Sequence, residues 1–479
     1  MRKQEYDVII IGAGIGGLTC GCYLAKAGMK VLIVEQHRVP GGYCTAFKRG
    51  DFTFQVVNTL ENCREDGQFG RILRELGIDK KIEIVKTNPC LILAFERDKI
   101  IFGDNKKESC ERLQMRFPDQ AKEVEEFLGF LLESSFVSLY IKLKKKTFEE
   151  VLNEYFSNQK LKAFFAFLVA HTGVPPVRLS ALTAAIHLRE SIFDGGYYPK
   201  GGMRVFVDAF VEKFHEFGGE LTLLKTVKKI KIVNGQAVGI FLENGNFLQS
   251  KYLICSSDVT QTFTQLIDNK CLPKSFVRKI NNLQPSISVF SAYLGVNKSL
   301  KKELDSCHEL RYSPSGNIDD PLDVARFQKD YFDGYIFCYF PSFSDSTLAP
   351  LNNDTITLSV LTSYITDKFW EQNKFVVTDK IIRRIEEVIP GLLKSIIIKE
   401  ISTPKTLFKF TLNRNGAMRG WMPTPNQIDM ALVPQETPIK RLFLAGHWVT
   451  LPSGEAGVPM AGFTGLRAAK LVLQGEQHK

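Results

Sequence analysis

The glycines of Gly12-Ala13-Gly14-Ile15-Gly16-Gly17 are spaced as G-x-G-x-x-G, and an acid, Glu35, follows further along. The chemistry this pattern serves is the holding of a pyrophosphate and a ribose. Gly12 permits a tight turn, Gly14 lets a phosphate approach the backbone, and Gly17 lets a helix pack closely on a strand. Ile15 and Gly16 stand at the helix start, where unbonded N–H groups and the positive dipole end attract phosphate. Glu35 is placed where a carboxylate accepts hydrogen bonds from ribose hydroxyls. The motif alone is a weak signal, because a close-packed structural turn uses the same glycines; its surroundings decide.

Those surroundings form a βαβ unit. Val8-Ile9-Ile10-Ile11 is a bulky apolar run, expected as a buried parallel strand. Leu18–Ala27 is rich in small and helix-favouring residues, Gly28 ends it, and Val31-Leu32-Ile33-Val34 is a second buried strand closed by Glu35. The Gly41-Gly42 pair after Pro40 could wrap over a bound dinucleotide or form an ordinary turn.

Composition narrows the alternatives. With 479 residues, 44% hydrophobic and 24% charged, the chain is globular and long enough for two interleaved domains. The net charge of +10 is spread widely and serves either solubility or attraction to an anionic membrane surface. No compact recognition module or aromatic-basic platform points to nucleic acid. The ten cysteines show no paired metal spacing, so no metal is expected. Cys20 and Cys22 point about 200° apart on a helix. Buried reduced thiols, a first strand close to Met1 and no apolar run of about 18 residues lead to the expectation of a cytoplasmic protein, with peripheral contact on the cytosolic membrane face as an extension.

Along the chain, residues 1–109 are expected to supply the first part of the nucleotide-binding domain, 195–272 the second and 433–479 the last. Phe69–Ile78 reads as a short helix stopped at Gly77. Residues 110–194 read as helical. Phe127–Leu143 is apolar almost all round and is followed by Lys144, Lys145 and Lys146; core, or the wall of a lipid-sized tunnel, is preferred over a membrane-dipping segment. Lys160–His171 is a second such helix, ended before Pro175-Pro176. Strands are expected at Leu221–Leu224, Val227–Val233, Ala237–Leu242 and Tyr252–Cys255. Residues 273–432 read as a mainly antiparallel sheet, and Arg441–Gly446 as a strand leading by a loop to a helix from about Pro459.

Several stretches together carry a resemblance: the N-terminal fingerprint, Gly41-Gly42, Tyr197–Met203, Leu253–Asp258, Ser342–Pro350, Thr403–Thr406 with Gly416–Trp421, and Leu444–Gly465. In this order they resemble the carotenoid desaturase, carotenoid isomerase and retinol saturase family of the flavoprotein superfamily that contains amine oxidases. The resemblance implies an α/β fold, with a Rossmann-like FAD-binding domain interleaved with a substrate domain of mixed or antiparallel sheet plus helices. It implies FAD, with Glu35 at the adenosine ribose, Gly12, Gly14 and Gly17 at the pyrophosphate, and the Val227 backbone at adenine. Gly446, Gly457, Val458, Pro459 and Met460 would lie along the ribityl chain and ring. It departs from the family where Gly446-His447 replaces the common Gly-Asp, and where Glu455 enters a loop usually made of glycines.

The flavin would exchange hydride with an extended polyene held in a phenylalanine-rich, water-free pocket, for which the 36 phenylalanines are suited. His447 and Glu455 are the acid–base candidates because the motif puts them near the flavin; Arg189, Glu190 and Lys200 are secondary ones. With no second G-x-G-x-x-G, electrons would pass to oxygen, a quinone or a protein partner, or stay on the flavin in an isomerase. The competing readings are an amine oxidase relative, against which Pro40 and Tyr43 flanking the glycine pair weigh, and a non-catalytic flavin-bearing lipid carrier.

Overall fold

A computed structural model of the chain describes residues 5–95, 98–103, 106–313, 335–429, 432–451 and 457–477. Strand β1 (Glu5–Ile11) lies at the heart of a seven-stranded sheet, with Val8, Ile9 and Ile10 fully buried. Its parallel neighbours are β2 (Val31–Val34) on one side and strand Phe247–Cys255 on the other. An unbroken apolar run suits a strand covered on both faces, where polar alternation would strand charges in the core. Glu220–Thr222 extends the sheet beyond β2, and Val227–Val233 and Gln236–Leu242 close the other side as an antiparallel meander. The late strand Leu442–Leu444 pairs parallel with Leu253–Cys255, so distant parts of the chain share one sheet.

Helix α1 (Ile15–Lys26) joins β1 to β2. It packs backbone to backbone against the C-terminal helix Val458–Gln477, because glycines stand at the crossing. A Cβ on Gly465 would fall 2.3 Å from the Gly16 carbonyl oxygen, and one on Gly17 would fall 2.1 Å from that of Gly12. Only hydrogen fits at either place.

A second seven-stranded sheet runs Ile396–Ser402, Ser288–Val296, Asp354–Thr362, Ile336–Tyr339, Glu309–Ser313, Leu91–Phe95, Asp98–Phe102. It is antiparallel except where Glu309–Ser313 meets Leu91–Phe95. The expectation that residues 1–109 serve the nucleotide-binding domain therefore needs correction, because Leu91–Phe95 and Asp98–Phe102 form the edge of the other sheet. A short apolar strand signals its burial and not its partner.

The helical region begins at Lys106–Arg116 and packs a core in which the phenylalanines meet one another. The rings of Phe127 and Phe165 are 4.9 Å apart and near perpendicular, and Phe127 and Phe156 are 5.2 Å apart in the same manner, the edge-to-face geometry aromatic quadrupoles favour. Phe127–Leu143 is not one helix. It breaks between Ala121–Glu133 and Phe136–Leu143, where the Ser135 side chain caps the second piece by accepting from the Ser138 N–H. Serine offers the backbone that alternative bond, and two in succession end a helix more readily than the apolar neighbours extend it. Phe127, Leu128, Leu131, Leu139 and Leu143 are core, whereas Val137 and Ile141 are 63% and 69% exposed and Phe136 is exposed beside them. Lys142 lies over the Phe130 ring and Lys144 over that of Tyr140. Gln159–Leu168 is the second apolar helix, followed by one 3₁₀ turn, Ala170–Thr172.

Candidate active site

The glycine loops converge. Gly12 holds φ +99°, and a Cβ there would lie 3.0 Å from the Ser256 carbonyl oxygen, so neither its backbone nor its neighbours admit a side chain. Gly14 differs: its backbone (φ −70°, ψ 172°) suits any residue, and a Cβ there would meet nothing within 4 Å. The space in front of it, at the N-terminus of α1, is a cradle that a side chain would fill. Glu35, 9% exposed, accepts from the backbone N–H of Ala13 at 2.8 Å and of His37 at 2.9 Å, one to each oxygen. A carboxylate oxygen has a second lone pair, so both can still receive a ribose hydroxyl. Lys225 N–H donates to the Glu35 carbonyl, which brings the start of strand Val227–Val233 beside this acid.

The other loops close the cradle. Gly41 N–H donates to the Ala13 carbonyl at 2.8 Å, and a Cβ on Gly42 would touch the Gly14 Cα at 3.4 Å. Gly446 lies against the start of α1: a Cβ on Gly16 would fall 2.8 Å from the Gly446 nitrogen, and the Gly446 N–H donates to Thr464. Gly457, at φ +97°, leads into the C-terminal helix, whose first residues are Val458 and the buried Pro459 and Met460. Glu455 lies outside the described residues.

His447 follows Gly446 and is held in a polar lattice. Its Nε2 lies 3.4 Å from the Asn413 amide nitrogen; Asn413 accepts from the Trp448 indole at 2.8 Å and donates to the Tyr43 hydroxyl at 3.1 Å. Tyr43 in turn donates to the Ala417 carbonyl. Burial first, and the Arg419 charge second, push the His447 pKa down to about 4. The ring is neutral at physiological pH.

A partly open chamber is lined by Glu61, Thr87, His171, His187, Ser191, Glu309, Arg311 and Tyr339 among others. Arg419 is not among its lining residues, but its charge acts on Glu61, His171, His187 and His447 alike. Among the described residues its guanidinium has no hydrogen-bond or close ion-pair partner, whereas Arg311 is paired with Glu309 at 2.7 Å. Ser191 bonds to Glu61 and also sits 3.0 Å from His187 Nδ1. The serine is positioned by a π-helical turn, Leu188–Ile192, a distortion often found at functional sites. Burial raises the Glu61 carboxyl above its ordinary range, against the pull of Arg419 and the Ser191 bond. Burial holds both histidines well below theirs, reinforced at His171 by His187 and at both by Arg419 and Arg311. The two rings stand 3.8 Å apart. Both nitrogens of His171, Nε2 of His187 and the Thr87 hydroxyl are buried with no hydrogen-bond partner among the described residues.

The phenylalanines around Phe127 pack on one another, and the described chamber is lined largely by polar groups. The secondary candidates are engaged elsewhere. Glu190 accepts from Arg64, Asn62 and Arg189, and Arg189 also reaches the Ser134 carbonyl. Lys200 pairs with Glu83 at the surface. Sequence reasoning missed Glu61, His171 and His187, and it quoted Arg419 only within Gly416–Trp421. A buried acid within a strand-like stretch and an internal histidine at a helix end were the available signals.

Comparison with known proteins adds the family. A family model described as flavin containing amine oxidoreductase matches residues 15–473. The chain is 26% identical to a chloroplastic prolycopene isomerase of Daucus carota, over 96% of this chain and 79% of that one. It is 25% identical to a 4,4'-diapophytoene desaturase of Staphylococcus haemolyticus, over 98% and 99%. Its fold matches the crystal structure of an oxidoreductase from Methanosarcina mazei with a TM-score of 0.70 at 16% identity, covering 98% of this chain and all of that one. The chain belongs to the flavin-containing amine oxidoreductase family, as an FAD-dependent oxidoreductase similar to the carotenoid desaturases and isomerases.

Proposed function

We propose that this FAD enzyme acts on carbon–carbon double bonds of a polyene lipid of the carotenoid or retinoid type, as desaturase, saturase or isomerase. The observation that carries the reading is likeness along nearly the whole chain to enzymes named for such substrates. The glycine loops fit the cofactor. Gly12, Gly14, Ile15, Gly16 and Gly17 would hold its pyrophosphate, Glu35 its ribose, Gly41 and Gly42 its near edge, and the Val227 backbone its adenine. Gly446, His447, Gly457, Val458, Pro459 and Met460 would flank the ribityl chain and ring. The bound flavin supplies hydride exchange.

The chain's own residues would orient the lipid, exclude water and manage protons. His447 is neutral and held by Asn413, so it suits an orienting role better than that of an acid. Glu61, with its raised pKa, is the stronger proton carrier. Oxygen, a quinone or a protein would accept electrons in a net oxidation; an isomerisation needs no acceptor.

We also propose that the protein works from the cytosolic side of a membrane, with Phe136, Val137 and Ile141 meeting lipid and Lys142, Lys144 and Lys145 its anionic head groups. Among the described residues no helix is long and apolar enough to cross a bilayer. The contact would be a surface one, worth about 1 kcal/mol for each lysine. Ile141→Glu should reduce pelleting with anionic liposomes at low salt, and unchanged pelleting would remove this surface from the account.

The decisive experiment loads the protein with FAD under anaerobic conditions and adds prolycopene, phytoene or 4,4'-diapophytoene separately, following flavin absorbance and the polyene product by chromatography. A new polyene product or isomer supports the reading. Flavin bleaching by amines, with every polyene unaltered, would favour the amine oxidase alternative.

A further inference from the structure

Resting on the polyene reading above, we infer that the chamber holds a proton relay from Glu61 through Ser191 to His187, whose free end, Nε2 of His187, exchanges a proton with the unsaturated substrate. His187 and Ser191 share one side of the helix that runs from Ala181–His187 into the π-helical turn Leu188–Ile192. The serine hydroxyl lies 3.0 Å from Nδ1 of His187 and bonds to the Glu61 carboxyl, and all three residues line the chamber. Their chain neighbours hold this alignment. Asn62, next to Glu61, donates at 2.9 Å to Glu190, next to Ser191, and Arg64 clamps Glu190 and Asp194 together. His187 is only 4% exposed, and its Nε2 has no hydrogen-bond partner among the described residues. One end of the ring is thus oriented by a serine and an acid, and the other is left for a reacting carbon.

The hydrogens of this chain of groups have two arrangements. A hydroxyl has one hydrogen to give, so when Glu61 is ionised Ser191 donates to it and accepts from Nδ1–H, which leaves a lone pair on Nε2. When Glu61 is protonated it donates to Ser191, Ser191 donates to Nδ1, and Nε2 carries the hydrogen. The first arrangement is a base and the second an acid. In desaturation a carbon–hydrogen bond breaks, its proton bonding to Nε2 and its electron pair entering the new double bond. The neighbouring carbon loses hydride, which is the exchange the bound flavin supplies. Nδ1 passes its hydrogen to Ser191, and Ser191 passes its own to Glu61. The relay begins with one negative charge, on Glu61, and ends with none, so no imidazolium persists. In saturation each transfer runs in reverse. The surroundings favour these neutral forms. Burial favours the uncharged carboxyl and rings, and the Arg419 charge disfavours an imidazolium. The His171 ring, centred 3.8 Å from that of His187, is neutral too, Arg311 is tied to Glu309, and burial keeps the Tyr339 hydroxyl protonated.

The test has two arms, both on the FAD-loaded protein. The first needs no substrate: with isotopically labelled histidine ring nitrogens, nuclear magnetic resonance reports the protonation of each ring, and His187→Gln identifies the His187 signals. At neutral pH His187 should be uncharged, with Nδ1 in a hydrogen bond that Ser191→Ala breaks and Ser191→Thr keeps. A doubly protonated His187, or an Nδ1 signal indifferent to Ser191→Ala, overturns the relay whatever the substrate is. The second arm uses the polyene found to be converted in the experiment above. His187→Gln should lower kcat at least about 100-fold with KM little changed, the lower end of what general acid–base catalysis supplies. Ser191→Ala should lower kcat by about tenfold, and Ser191→Thr should restore most of it. Because the serine acts only through the histidine, the double variant should be no slower than His187→Gln alone. A folded, yellow His187→Gln protein with kcat near that of the wild type overturns the inference, as does a double variant whose losses multiply. If His187→Gln does not fold, equal kcat in Ser191→Ala and Ser191→Thr overturns it. Conversion of no polyene overturns the polyene reading and leaves the relay to be decided by the first arm.

Discussion

The glycine cradle and the polar chamber are built in opposite ways. The cradle is made of backbone: N–H groups, positive φ angles and space left by missing side chains. Glu35 is the side chain it relies on, and that carboxylate is satisfied by Ala13 and His37. The chamber is made of side chains from several elements, with buried polar atoms unsatisfied. A backbone site tolerates few sequences and accepts one shared chemical group, the pyrophosphate. A side-chain site can be altered one residue at a time, and this is where specificity among related enzymes would reside.

The largest expected effect tests whether the cradle's glycines serve packing or ligand. Gly17→Val drives a side chain into the Gly12 carbonyl and should abolish the folded protein. A Cβ at Gly14 meets no protein atom within 4 Å, so Gly14→Val should fold with a cooperative melt yet purify without its yellow colour. A yellow Gly14→Val protein would mean that the open space is not where phosphate lies. Next in size, Glu35→Ala leaves two N–H groups without their acceptor, at about 1–3 kcal/mol each if they stay buried. It should lower both melting temperature and flavin retention. His171→Phe should leave flavin retention unchanged; a colourless variant would erase the distinction between the two regions.

Glu61 of the chamber and His447 beside the cradle make opposite contributions at the two ends of the pH range. Glu61 titrates above its ordinary value in the folded state, so its contribution is fully present at acid pH and is lost as pH rises through the raised value. Glu61→Gln should therefore raise the melting temperature at neutral pH, and the gain should vanish on acidification below the ordinary carboxyl range. His447 has the reverse sign: its neutral form is favoured, so stability falls as pH drops from about 6.5 toward about 4. His447→Asn should flatten that slope. Melts across pH would show both effects, and a Glu61→Gln gain confined to acid pH would contradict the raised carboxyl. The smallest effect is expected at Lys200→Ala. Its exposed pair with Glu83 is worth up to about 1 kcal/mol, and turnover should be unchanged; a large loss of turnover would return Lys200 to the chemistry.

The same contrast explains what the sequence could disclose. β1, α1 and β2 are contiguous, and each glycine's task is set by its neighbours in the chain, so the cradle could be read from a short stretch. Gly446 could be placed because strand, loop and helix follow one another there. The chamber had no such local signature: Glu61, His171, Ser191 and Arg419 are brought together only by tertiary packing, and each alone resembles an ordinary core or surface residue. The parallel pairing of Leu91–Phe95 with Glu309–Ser313 was hidden for the same reason, since nothing local sets it. The break at Ser134-Ser135 is different. Its capping signal was present in the sequence and was outweighed by the apolar residues around it.

The crossing of Gly16 with Gly465 has a consequence for synthesis. The phosphate loop emerges from the ribosome early, but the helix that backs it is made after more than four hundred further residues, and so is the strand Leu442–Leu444 beside Phe247–Cys255. Until then the nascent chain carries an unclosed coenzyme site. Flavin capture should therefore be a late, post-translational event that locks the two ends of the polypeptide together.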